Sequence, residues 1–257
     1  MARIFLGCVN DDALQEHHSA SRGKNQLFSE GMRDMPDFVK HPRLDVFKSE
    51  LVKGAQFSQT YEFPTLQRTD FTADKAIPFE KAAKAADHQQ WIHFYTHDRN
   101  FECLWNNPKQ YLAMLQRFSG VITPDFSLYR EMPLAMQIWN TYRNRAIAYW
   151  LQSNGVDIIP NVRWGDERTY SFAFEGLPPG GSVAISTNGC IRSKPERSYF
   201  KKGLAAMIVA LKPVTIINYS QTPKDIFGEY REQGITVVPI ENYTSAVHAE
   251  AARKAAM

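Results

Sequence analysis

The sequence predicts an α/β fold of parallel βα repeats, TIM-barrel-like but incomplete or distorted, behind an irregular N-terminal region. Three observations lead there. Of 257 residues, 44% are hydrophobic, 12% aromatic and 22% charged, the profile of a globular chain large enough for one barrel-sized unit. From Trp91 onward, short and nearly all-apolar runs alternate with amphipathic helical patterns, the signature of parallel strands covered on both faces. Successive strand starts are separated by roughly 20 to 35 residues, the size of a βα unit. An open doubly wound sheet is the alternative, because only six clear strands are visible and a closed barrel needs eight.

Residues 1–90 form the irregular N-terminal region packed on the core. Aromatics and prolines recur there (Phe38, Phe47, Phe57, Tyr61, Phe63, Phe71, Phe79) without a sustained period. One early strand is expected at Arg3–Val9, and further strands can hide in this stretch. Residues 91–257 form the βα-repeat domain. Its strands are expected at Trp91–Thr96, Gly120–Thr123, Val156–Val162, Ser182–Ser186, Val214–Tyr219 and Ile235–Ile240. Its helices are expected at Pro108–Phe118, Pro133–Ser153, Glu196–Leu211 and Pro223–Gln233. Pro108, Pro133 and Pro223 suit first turns, and Gly155 and Gly234 suit left-handed helix ends.

Composition narrows the function classes. Lys and Arg number 30 against 27 Asp and Glu, a net charge of +3, less than a dedicated sequence-specific DNA binder usually concentrates. The excess still suits a phosphorylated small molecule or a modest nucleic-acid contact. No run approaches the roughly 18 apolar residues that span a bilayer, so no membrane role is expected. The start lacks the apolar core of a secretory signal. Cys8, Cys103 and Cys190 are scattered without C-x-x-C spacing, as reduced thiols in a cytoplasm would be.

In parallel βα architectures the functional groups gather at the C-terminal strand ends. Those ends carry His97 and Asp98, Asp125, Asn161, Arg163, Trp164 and Asp166, then Ser186, Thr187, Asn188 and Gly189. Asp98, Asp125 and Asp166 are the candidate catalytic carboxylates. Carboxylates sharing a partly dry cleft separate into acid and base, or bind a divalent metal. The competing structural roles are helix caps for Asp98 and Asp125, and an ion pair with Arg163 or Arg168 for Asp166. His97 is a candidate proton shuttle. Ser186 to Gly189 is a small-residue loop whose backbone N–H groups can cradle an anion, with Arg192, Lys194 and Arg197 following. The standard nucleotide loops and the G-x-S-x-G elbow are absent, and Cys190 has no evident catalytic partner. The helix bearing Trp139, Tyr142, Tyr149 and Trp150 offers stacking faces, though its spacing fits core packing. Arg143 and Arg145 on it face solvent or an acidic partner.

An ordered string of motifs adds a resemblance. It runs from His93-Phe94-Tyr95-Thr96-His97-Asp98 through Trp105-Asn106-Asn107-Pro108 to Thr123-Pro124-Asp125-Phe126-Ser127-Leu128-Tyr129. It continues with Gln137, Asn140, Arg143 and Arg145, then Ile159-Pro160-Asn161-Val162-Arg163-Trp164-Gly165 and Ala184-Ile185-Ser186-Thr187-Asn188-Gly189. Over about residues 75–220 the chain resembles a DUF4417-like family of phages, plasmids and other mobile elements, known as a domain of unknown function. The resemblance implies a cytoplasmic setting in a bacterial or phage-infected cell. It carries no activity with it.

Two functions follow as expectations. One is an enzyme acting on a phosphorylated or nucleic-acid-related substrate. In it Asp125 and Asp98 supply acid/base or metal-binding groups, Arg163 and the Ser186 loop hold an anion, and Trp164 walls the substrate. The other is a non-catalytic module that binds DNA or a host protein. An enzyme should bring these residues to a shared cavity.

Overall fold

The structure is a computed structural model, and it describes residues 47–243 and residue 245. These residues belong to the larger of two units, Met32–Met257. The strand expected at Arg3–Val9 lies outside the described residues.

Among the described residues seven parallel strands form the frame: β1 (Ala76–Pro78), β2 (Trp91–His93), β3 (Gly120–Ile122), β4 (Ile158–Ile159), β5 (Ser182–Ser186), β6 (Thr215–Tyr219) and β7 (Thr236–Ile240). They make a four-stranded sheet in the order β1-β2-β3-β4 and a three-stranded sheet in the order β5-β6-β7. The six expected strands correspond to β2–β7. β1 was missed because three residues, one of them proline, carry no readable alternation. The seam between the sheets is narrow. Asn161 bridges to Ala184 in parallel, with Val162 N–H donating to Ala184 O and Ala184 N–H to Pro160 O, both at 2.8 Å. No closed barrel is present among the described residues, since no ladder joins β7 to β1. Nor does either sheet reverse its strand order, as a doubly wound sheet does at its switch point.

β1–β5 and all but the first residue of β6 are buried on both faces, which explains their unbroken apolar runs, while β7 is an edge strand of which only Ile240 is buried. One apolar cluster draws a side chain from every strand: Ala76, Trp91, Ile122, Ile159, Ala184, Ile217 and Ile240. The alternate residues, such as Ile92, Val121, Ile158, Val183, Ile185 and Ile216, pack into the larger core with the helices. At the upper edge of the first cluster, the His93 ring lies 4.5 Å from that of Tyr219, and Tyr95 stacks on Tyr219 at 4.9 Å. These rings therefore join β2 to β6.

Helices α1 (Phe79–Ala82), α2 (Glu102–Asn106), α3 (Pro108–Leu115), α4 (Leu134–Ser153), α5 (Tyr170–Ala173), α6 (Lys194–Leu211) and α7 (Lys224–Glu232) connect the strands. α6 opens with a capping box in which Ser193 and Glu196 satisfy each other's backbone N–H, which fixes its start beside the Ser186 loop. α4 departs from an ordinary amphipathic helix. Gln137, Asn140, Thr141, Arg143, Asn144 and Arg145 are all buried: neither arginine faces solvent, Arg143 reaches the acidic partner Glu102 at 2.7 Å, and Arg145 bonds to amide oxygens instead. Their hydrogen bonds support the loops at the strand ends: Asn144 Nδ2 donates to Thr123 Oγ1 and Pro124 O, Asn140 Nδ2 to Ser127 O, and Arg145 to Ala173 O and Glu175 O.

Candidate functional site

A cleft of about 410 Å³ opens at the C-terminal ends of β4 and β5, within the range of small-molecule sites. Arg163, Trp164, Ser186, Asn188 and Gly189 line it, and so do Tyr129, Arg130, Glu131, Cys190, Glu196 and Tyr199. Strand geometry accounts for the first group. Ser186 is the last residue of β5, Arg163 and Trp164 directly follow the Asn161–Ala184 bridge and the Val162–Ala184 hydrogen bond, and Asn188 and Gly189 lie in the turn after β5.

Arg163 is the pivot. Its Nη1 donates to Asp125 Oδ2 at 3.0 Å, and Asn161 Nδ2 donates to Asp125 Oδ1 at 2.8 Å. Asn161 is itself held, accepting from the Tyr95 hydroxyl at 3.0 Å and donating its N–H to Thr123 Oγ1 at 2.8 Å. Asp125 is 8% exposed and stands behind Arg163 rather than in the cleft wall. Burial lifts its carboxyl above the ordinary carboxylate range, against the opposing pull of the Arg163 guanidinium and the Asn161 amide. The same carboxylate holds Arg163 firmly protonated, and burial pushes the Cys190 thiol up. Tyr95 is raised well above the usual phenol value by burial and by the Asp125 charge.

Asp98 reaches this network from the next strand end. Its two oxygens accept from Ser127 N–H at 3.0 Å and Ser127 Oγ at 2.7 Å, and Ser127 Oγ also pairs with the Tyr129 hydroxyl at 3.1 Å. Its negative charge adds to the upward push on Asp125. Asp166 does not join these two. It caps the short turn Glu167–Thr169 through Arg168 N–H and pairs with the Arg168 guanidinium at 2.9 Å, the structural role weighed for it above. His97 is exposed. Among the described residues no three His, Cys, Asp or Glu side chains converge as metal ligands.

The Ser186 loop is a tight turn in which Gly189 takes φ +77°, a conformation suited to glycine. Its amides point largely inward. Thr187 N–H donates to Tyr219 O and Asn188 N–H to Ser186 Oγ, so two donors of the expected anion cradle are already satisfied. Thr187 is buried, its hydroxyl donating to Gln221 O at 2.7 Å. Trp164 forms an inner wall, 5.4 Å from the Phe200 ring, and it lies so close to α6 that a Cβ at Gly203 would fall 2.1 Å from its Nε1.

Sequence reasoning missed Tyr95, Tyr129, Tyr199 and His93. Tyr95 and His93 continue the inward alternation of Trp91, a period-2 signal that was available. Tyr199 follows Glu196 by three residues, one face of α6. His93 is buried, with Nε2 lacking a hydrogen-bond partner among the described residues, and burial drops its pKa to about 3.

This geometry describes a strand-end pocket on a parallel α/β frame. The comparisons supply the family. The profile described as Domain of unknown function (DUF4417) matches residues 55–241, and the chain belongs to that family. The match begins upstream of the motifs recognised in the sequence and includes β1. The chain is 37% identical over 168 residues to the Gene 1 protein of Mycobacterium phage L5, covering 64% of this chain and 73% of that protein. It is 35% identical over 173 residues to the Gene 1 protein of Mycobacterium phage D29, covering 64% of this chain and 62% of that protein, less than two thirds of its length. No solved structure matches the chain.

Proposed function

We propose that the protein is an enzyme acting on a phosphorylated or nucleic-acid-related small substrate bound in the β4–β5 cleft. The observation that carries this reading is convergence: Arg163, Trp164, Ser186, Asn188 and Gly189 line one cavity, and Asp125 and Asn161 brace Arg163 from behind. Arg163 is the substrate-orienting group, and Asp125 holds its charge and direction. In this reading Asp125, which does not line the cleft, acts through Arg163.

We also infer that the two sheets curl together into a TIM-barrel-like wall left open between β7 and β1. Sequential parallel order supports it, as does the Asn161–Ala184 bridge. So does the 4.5 Å approach of His93 to Tyr219: in a flat sheet, strands four places apart would be about 19 Å apart. The cleft then occupies the barrel face where such enzymes work.

The test is a turnover assay. Purified protein is incubated with nucleosides, nucleotides and sugar phosphates, with and without Mg²⁺, and products are resolved by chromatography. Conversion of one class is expected, reduced about 100-fold or more in Arg163→Gln. Ligands that bind without being converted overturn the enzymatic reading. One observation favours the second reading, a module that docks on a host protein: Leu134, Met136 and Trp139 on α4 are exposed at 36%, 52% and 39%.

A further inference from the structure

The cleft's charge and its exposed rings narrow what it can hold. Among the described residues Arg163 donates one hydrogen bond, to Asp125. A guanidinium has five N–H donors in a planar fork, and Arg163 lines the cleft, so N–H groups beyond the one given to Asp125 remain for a ligand, while Asp125, itself held by Asn161, anchors one end of the fork. A fork of this kind reads paired acceptors in a plane, as on a carboxylate or the edge of a nucleobase.

The electrostatic balance rejects high negative charge. Among lining residues, Arg130 and Arg163 are opposed by Glu131 and Glu196, and Asp125 adds another negative charge immediately behind Arg163. Arg192 and Lys194 are exposed and outside the lining. The helix end expected to take a phosphate is capped by its own Ser193–Glu196 box. A triphosphate entering here would meet carboxylates with no matching surplus of cations.

The walls favour a ring. Tyr129 and Tyr199 line the cleft while 54% and 39% exposed. Arg130 sits 4.2 Å over the Tyr199 ring. Exposed tyrosines facing a cavity supply stacking surface to flat ligands.

We infer that the cleft is built for a flat, acceptor-bearing heterocycle carrying at most one negative charge: a nucleobase presented as a nucleoside, or as an unpaired base in a strand. The Arg163 fork reads its edge, and Tyr129 and Tyr199 hold its face. This rests on the cleft being the substrate site, and it selects the base rather than phosphate as the recognised feature.

The experiment is a thermal-shift titration of the full chain with the four common nucleosides, the matching triphosphates, inorganic phosphate and a short single-stranded oligonucleotide. Turnover is followed in parallel. At about a hundredfold excess over Kd a nucleoside should raise Tm by about 5–10 °C, and its triphosphate should raise it less. The nucleoside shift should vanish in Tyr129→Ala/Tyr199→Ala, two side chains outside the core, and in Arg163→Gln. Oligonucleotide binding with no nucleoside shift identifies the strand as the source of the base, provided the tyrosine variant abolishes it. A larger shift with triphosphate or inorganic phosphate than with nucleoside overturns the inference. Nucleoside binding unaffected by the tyrosine pair, or no shift with any of these ligands, overturns it too. Binding without turnover leaves it standing and removes the enzymatic reading instead.

Discussion

The Arg163 guanidinium and the Asp125 carboxylate meet at 3.0 Å, and only one of them faces the cleft. Arg163 lines the cavity while Asp125 supports it from the protein side. The pair therefore couples the stability of the strand ends to the shape of the pocket. Removing one partner of a part-buried pair leaves the other short of compensation. Asp125→Asn should destabilise the protein by about 1–3 kcal/mol in urea unfolding. Arg163→Gln added to it should cost much less than its single-variant effect. Additive losses would mean the two side chains act independently.

Arg145 makes a different kind of contact. It is buried without a carboxylate and donates to Asn144 Oδ1, Ala173 O and Glu175 O; burial lowers its pKa to about 9. Lysine cannot reproduce three bonds from a planar fork. Arg145→Lys should cost about 2–4 kcal/mol and loosen the α4–α5 contact, read as faster amide exchange in Tyr170–Ala173. An unchanged exchange pattern would contradict this role.

His93 predicts an acid limb of stability. Its folded pKa is about 3 against 6.5 for the free side chain, so the unfolded chain binds the proton more readily. The stability it contributes is complete above pH 6.5 and is lost as pH falls from 6.5 toward 3, by up to about 5 kcal/mol. His93→Gln should flatten that limb in urea unfolding between pH 4 and 6.5. A wild-type slope in the variant would assign the effect to other groups.

Gly203 tests the cleft wall. With no room for a Cβ against Trp164, Gly203→Ala should displace the indole, cost about 1–3 kcal/mol and change the Trp164 fluorescence. If the emission is unchanged, α6 does not set the position of this wall.

Much of this was legible beforehand, and the gaps have physical causes. Buried parallel strands announce themselves as unbroken apolar runs, so β2–β7 were readable, whereas the three residues of β1 were too few. Strand-end position singled out Arg163, Trp164 and the Ser186 loop, because a ladder fixes where the next residue goes. The sequence did not reveal how the carboxylates divide: Asp98 accepts from Ser127 and its charge acts on Asp125, while Asp166 turns to Arg168 two residues away. Nor did it reveal that α4 buries arginines, because a helix that supports loops with polar groups has no clean apolar stripe. Tyr129 and Tyr199 come from different connections, and their shared cavity exists only after folding.

Fluorine NMR of protein labelled with 5-fluorotryptophan gives the most direct test of the cleft as the functional site. The chain has five tryptophans; Trp164 lines the cleft, while Trp139 is exposed on α4. Trp164→Phe and Trp139→Phe assign the two signals. On addition of a nucleoside or a short single strand, the Trp164 resonance should move while that of Trp139 stays. Movement of Trp139 alone would place binding on the α4 surface and contradict the account.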